Sequence, residues 1–240
     1  MTFDPFGDFE TQGYLRNLAK EKDPDIVRRL EHASFMTGID AALERLAKVK
    51  LLSYTDVLET HRILFDAVYP WAGQDRRTTA PDLAISKGPV LFARPEHIQR
   101  AADYALTHGQ DKEFMKAKPG EIMGYLAYAH PFLDGNGRTI MVVHGVMTQR
   151  AKFSIDWAAT GKTDYLSALT RELDDPGKGH LDDYLMPLVR EALTDDRLAQ
   201  EIALAPGLDG NDEQNEVLGK TDDPALQVRY EQQELKWRRG

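Results

Sequence analysis

Apolar residues return every three or four positions through most of this chain, so the first expectation is a protein built from helices. Ile26, Leu30, Ala33, Phe35, Met36, Ile39, Leu43 and Leu46 share one stripe of a long helix. Asp23-Pro24-Asp25 sets its start with a capping carboxylate and a proline in the first turn, and Gly38 bends it or splits it in two. Ser53-Tyr54-Thr55-Asp56 opens a second helix, lined on its inner side by Val57, Leu58, His61, Leu64, Phe65 and Val68 and stopped at Pro70-Trp71-Ala72-Gly73. Further helices are expected from Glu10 to Ala19, from Pro95 to about Thr107, across Glu121–Ala129, from Gly137 to about Ala151, from Thr163 to Leu173 and from Leu181 to Leu193. The segment from Gly109 to Lys118 is polar and loop-like. Only Leu83 to Phe92 departs from the helical period: two short apolar runs flank Lys87-Gly88-Pro89, which reads as a hairpin or as a plain surface loop.

The composition narrows what such a bundle does. In 240 residues, 39 acidic side chains stand against 30 lysines and arginines, a net charge of −9. That balance argues against a general nucleic-acid or anionic-membrane binder, while leaving a local nucleotide site open. There is no cysteine, which removes disulfides and thiolate chemistry. No run approaches a membrane span and the first residues lack the features of a secretory signal, so residence in the cytoplasm is expected, with export as an effector left open. From Thr194 onward the chain turns acidic and glycine-containing, then ends in a polar stretch from Pro224 to Arg239 that reads as helical or disordered. Residues 1–50 are read as N-terminal helices packing on the core, 51–193 as the core itself and 194–240 as linker and tail.

Chemistry concentrates in the bend between two of the apolar helices, His130-Pro131-Phe132-Leu133-Asp134-Gly135-Asn136-Gly137-Arg138. Glycines around an asparagine let successive backbone N–H groups curl into a nest, and a nest at a helix start also feels the positive end of the helix dipole. Such a cradle takes an anion, to which Arg138 in the first turn can add a forked cationic contact. Asp134 offers hard oxygen to Mg²⁺ arriving with phosphates. His130 is the group there that can take up a proton near neutral pH. The bland reading, a Gly-Asn-Gly turn joining two core helices, suffices for the triplet alone. Seven specified positions together arise by chance in a chain of this length roughly once in a few million.

This nine-residue stretch resembles the signature of the Fic family, His-Pro-Phe-x-Asp/Glu-Gly-Asn-Gly-Arg, and the flanking pattern from about Leu51 to Leu193 is similar to a Fic core. The resemblance implies an all-α fold, a Fic-type helical bundle with one small β-hairpin, the flap, beside the active site. It implies transfer of AMP from ATP, with Mg²⁺, to a Ser, Thr or Tyr hydroxyl of a target protein. His130 would be the general base, Gly135, Asn136, Gly137 and Arg138 the phosphate cradle, Asp134 the metal ligand, and Ile85, Ser86, Lys87 and Gly88 the flap that positions the target. Phe132 is expected to anchor the loop in the core, and His61 and His144 read as core histidines. Arg76 and Arg77 read as a solvated pair.

Two departures from the family pattern alter the picture. The second arginine, three residues beyond the first, is replaced by Met141. No clean copy of the family's autoinhibitory Ser/Thr-x-x-x-Glu-Gly/Asn element is present; the nearest stretch, Ala33 to Ile39, has Thr37 where the glutamate would stand. A separate small antitoxin protein is the alternative source of restraint. The alternatives to AMP transfer are a relative that moves phosphate, UMP or phosphocholine, and a catalytically weak regulatory or binding protein.

Overall fold

The computed structural model describes residues 2–205, 207–208 and 215–237. In chain order its elements are α1 (Phe9–Gln12), α2 (Pro24–Lys48), α3 (Tyr54–Phe65), α4 (Arg76–Thr79), β1 (Leu83–Lys87), β2 (Val90–Leu91), α5 (Ile98–Gly109), α6 (Lys112–Ala117), α7 (Pro119–Ala129), α8 (Asn136–Arg150), β3 (Phe153–Ile155), α9 (Lys162–Asp174), α10 (His180–Leu185), β4 (Val189–Glu191), α11 (Asp195–Ala203), β5 (Glu216–Lys220) and α12 (Pro224–Trp237). The fold is helical with small antiparallel strands, and α7 and α8 run through its centre.

Every residue of α7 is buried, as is nearly all of α8. Their apolar character all round therefore follows from position: α5, α8, α9 and α10 pack around α7, while α2, α3 and α11 close on α8. Helix α2 is one element. The Asp23 carboxylate accepts from the N–H of Asp25, capping it. Gly38 does not split α2; it lets the helix cross α3 closely, because a Cβ there would meet the Ile63 carbonyl at 2.7 Å.

Several local expectations give way to specific contacts. Glu10 to Ala19 is not one helix: α1 is followed by a 3₁₀ turn over Tyr14–Arg16. The Asn17 side chain draws this segment into turns by donating to the carbonyls of Tyr14 and Glu21 at 2.9 and 2.7 Å. The polar stretch before α7 holds α6, capped by the Asp111 carboxylate on the amides of Glu113 and Phe114. The helix expected from Leu181 to Leu193 ends at Leu185; Pro187, which has no N–H, sits in a 3₁₀ turn, and β4 then pairs with β3.

The hairpin of β1 and β2 forms, with Lys87 opposite Val90. It gains a third strand, in the order β2-β1-β5. Strand β5 comes from the acidic stretch, and α12 then lies across the sheet, packing Leu226 and Tyr230 onto Ala84 and Leu91. Trp237 ends α12 stacked on Tyr128 of α7, ring centroids 4.3 Å apart.

Candidate active site

The bend between α7 and α8 is held in its pose from several directions. His130 ends α7 in the left-handed region, φ 41°. Fully buried Arg76 donates from Nε to the His130 carbonyl at 2.7 Å and from Nη2 to the carbonyls of Ala93 and Ala129 at 2.8 and 3.3 Å. The Arg76 amide donates to Pro131 O at 2.7 Å. The expectation of a solvated Arg76–Arg77 pair is thus corrected. Arg76 is a clamp on the motif backbone, and burial pulls it down to about 10. Arg77 bonds Asp75 and Gln99.

His61 holds the loop from α3. The Gly73 N–H donates to Nδ1 at 2.9 Å, so Nε2 carries the proton and donates to the Asp134 carbonyl at 3.1 Å. Its ring stacks on fully buried Phe132, centroids 3.7 Å apart, and burial drives its basicity down to about 3. Gly135 caps α8 at φ 77°, and a Cβ there would strike the Phe65 ring at 2.6 Å. His144, one of the expected core histidines, donates Nε2–H to Pro119 O at 2.8 Å.

Asn136 orients the imidazole. Its Oδ1 accepts from Phe132 N at 2.9 Å and its Nδ2 donates to Phe132 O at 2.8 Å, which fixes the amide's direction. Nδ2 also lies 3.2 Å from His130 Nε2; an amide nitrogen can only donate, so Nε2 is the accepting atom. Phe92, just beyond β2, stacks flat beneath the ring, centroids 3.5 Å apart at 7°. Burial first, then the charges of Arg76 and Lys87, hold His130 well below the usual histidine range. At neutral pH the imidazole is neutral and carries a free-base nitrogen.

His130, Asn136 and Gly137 share the wall of a cleft of about 650 Å³ with Lys87, Phe92 and Met141. Lys162 and Arg171 of α9 line it too, cations the sequence pattern did not single out. A helix start leaves its first amides without intrahelical acceptors, and Asn136, Gly137 and Arg138 supply those of α8. A Cβ on Gly137 would meet only Leu208, at 3.8 Å, so a ligand can approach its backbone.

Arg138, Gly135 and Asp134 are not part of that wall. The Arg138 guanidinium is buried against Glu31 of α2 at 2.9 Å and lies over the Phe65 ring. Thr37, aligned by the sequence with the missing glutamate, donates within its own helix, to Ala33 O at 2.9 Å. Asp134 is half-buried; Oδ1 accepts Gly135 N–H at 2.6 Å and lies 3.7 Å from Arg138. No group of three His, Asp or Glu side chains could hold a metal among the described residues. One partly open carboxylate suits a hydrated cation that arrives on phosphates. Of the flap residues, Lys87 reaches the cleft, while Ile85 and Ser86 are buried in β1 and Gly88 forms the turn at φ 54°.

Residues 51–147 match the Fic/DOC family. Over 214 residues the chain is 27% identical to protein adenylyltransferase VbhT of Bartonella schoenbuchensis, covering 85% of this chain and 42% of that one. It is 27% identical over 166 residues to the probable protein adenylyltransferase y4lH of Sinorhizobium fredii, covering 65% of this chain and 82% of that protein. The chain therefore spans less than half of the Bartonella relative and most of the Sinorhizobium one. Among solved structures, the ADP-bound Fic domain of a Bartonella quintana Bep effector superposes with a TM-score of 0.64 at 20% identity, covering 79% of this chain and 97% of that one. The BepC protein of Bartonella tribocorum with bound AMPPNP gives 0.58 at 15% identity, covering 74% and 92%. No helix among the described residues is long and apolar enough to cross a membrane.

Proposed function

From the match of residues 51–147 to the Fic/DOC family we propose that the protein transfers AMP from ATP to a Ser, Thr or Tyr hydroxyl of a target protein. The observation that carries this reading is the neutral His130, its Nε2 accepting, on the wall of a cleft that also contains the start of α8. His130 Nε2 takes the proton of the incoming hydroxyl as that oxygen bonds to the α-phosphorus, and pyrophosphate departs. In taking the proton, Nε2 exchanges its contact with Asn136 for one with the target hydroxyl. The amide of Gly137 and the dipole of α8 face the developing negative charge, with Lys87 and the α9 cations beside it. Asp134 is the residue that would hold Mg²⁺, and the ion would offset charge on the phosphates. The backbone edge of β1, which β5 pairs with in this structure, is suited to align an extended target segment. Curated relatives that carry the name protein adenylyltransferase, and neighbours solved with ADP or AMPPNP, support the choice of nucleotide. In this reading the enzyme works where ATP and Mg²⁺ are abundant, in a cytoplasm.

Incubation with ATP labelled at the α- or the γ-phosphate, beside a lysate, tests this function. Label from the α position on protein is expected. Label from γ alone means phosphate transfer, and label from neither removes the proposed donor.

A further inference from the structure

Strand β1 carries β2 on one edge and β5 on the other, with Leu83 opposite Lys220 and Ser86 opposite Glu216. One residue beyond that last pair stands Asn215. Its Nδ2 donates to the carbonyl of Leu133 in the motif loop at 2.9 Å, and its side chain hydrogen-bonds the His130 imidazole. The strand therefore runs along the flap straight to the base and sets a polar side chain against it. Gly207 and Leu208, upstream in the same segment, line the cleft.

The way this strand is held differs from the way its neighbours are held. Glu216, Val217, Leu218 and Lys220 are exposed, so β5 stays in place by backbone pairing and by Asn215 rather than by apolar burial. Backbone pairing is indifferent to sequence, and any extended segment can make the same bonds. Helix α12, by contrast, is anchored through buried Leu226, Tyr230 and Trp237. It tethers β5 next to the edge even when the strand is off it, which keeps the effective concentration high. From residue 205 to residue 220 the chain has no Ser, Thr or Tyr.

We propose that residues 215–220 are an internal stand-in for the target segment. They fill the β1 edge and set Asn215 beside the His130 imidazole, in the space that a target side chain would enter. An amide side chain has no hydroxyl to give up, so the strand occupies the site without being modified, and an extended hydroxyl-bearing segment of the target must displace it. The chemistry of this proposal rests on the AMP-transfer reading; its geometry rests on strand pairing alone.

An Asn215→Ser variant turns the stand-in into an acceptor. The new hydroxyl oxygen bonds to the α-phosphorus of ATP, the bond from that phosphorus to pyrophosphate breaks, and His130 takes the proton. Intact mass and fragment mapping should find one AMP per chain at position 215, and none when His130→Ala is added. Label on other proteins with none at position 215 overturns the proposal. A second measurement reads the edge without chemistry, using a fluorescein-labelled peptide that copies residues 213–222 with Ser in place of Asn215. In a Val217→Pro/Leu218→Pro variant one of two adjacent amides facing β1 is lost whatever the register. If β5 holds the edge nine-tenths of the time, the variant binds this peptide about tenfold more tightly than the unsubstituted protein. Equal binding overturns the proposal. Tighter binding with no label from ATP on any protein upholds the strand's place and overturns the AMP-transfer reading instead.

Discussion

Arg138 Nη2 and Glu31 Oε2 lie 2.9 Å apart, both side chains buried, so the arginine of the motif is tied to α2 rather than aimed into the cleft. The Tyr69 hydroxyl donates to the other oxygen of Glu31 at 2.8 Å. Burial first, then the nearby Asp134 carboxylate, push Glu31 up to about 7 against the pull of Arg138. The pair joins the first turn of α8 to the long N-terminal helix, and through it the motif loop inherits the rigidity of the core.

Removing the cation leaves a buried carboxylate without a partner. Arg138→Ala is expected to lose about 3–5 kcal/mol of stability at pH 8, the usual result of breaking a buried pair from one side. The loss should shrink at pH 5, where the orphaned Glu31 takes up a proton. In the unsubstituted protein the folded-state pKa lies above the ordinary carboxyl value of 4.5, so folding binds a proton between that value and about 7. This contribution is fully present below pH 4.5 and is lost as pH rises through 7. Urea unfolding at both pH values, with Glu31→Gln as the variant that lacks this titration, measures each part.

The proposed base gives the sharpest kinetic expectation. His130→Ala should lower turnover by roughly 10²–10⁴-fold while leaving ATP affinity nearly unchanged, because in the proposed reaction the imidazole acts on the acceptor and not on the donor. Since burial and the charges of Arg76 and Lys87 hold His130 well below 6.5, the rate should show no histidine limb between pH 6 and 8. A rate that falls steeply below pH 6.5 would mean that the base protonates in that range. Single-turnover labelling across pH checks this.

Arg76 makes a separable case, since it touches the loop's backbone and not the reacting atoms. Arg76→Lys keeps a charge but not the fork that spans the carbonyls of His130, Ala93 and Ala129. Leaving buried carbonyls short of donors costs about 1–3 kcal/mol. The substitution should lower urea stability by that order and lower turnover more than ATP affinity. A variant with full turnover at reduced stability would show that Arg76 supports the core without posing His130.

The helices and the motif were readable because their signals are local. A capping aspartate before Pro24, a 3.6-residue apolar stripe and nine contiguous motif positions need no distant partner to be recognised. The residues that pose the motif carry no such mark. Glu31, His61 and Arg76 reach the loop from 107, 73 and 54 positions away, and their roles appear only once α2, α3 and α4 are packed. Strand β5 was hidden for a different reason: its side chains stay in solvent, so no alternation of apolar and polar residues announces it. Phe92 was visible as a hydrophobic residue at the hairpin's end, but nothing in the sequence places it flat under an imidazole.

Met141 tests what the cleft does with a triphosphate. It is 2% exposed, on α8 one turn beyond Gly137, and its side chain lines the cleft. The family resemblance puts an arginine there, facing the far phosphates. A charged hydrogen bond of about 1.5–3 kcal/mol corresponds to roughly ten- to hundredfold in affinity. Met141→Arg is therefore expected to tighten Mg·ATP binding by that factor in calorimetry. Without nucleotide the same substitution buries a cation that has no partner, so the variant should unfold more easily and recover when ATP is added. Unchanged affinity would mean that the far phosphates lie toward Lys162 and Arg171 on α9; Lys162→Ala would then weaken binding in the protein that retains Met141.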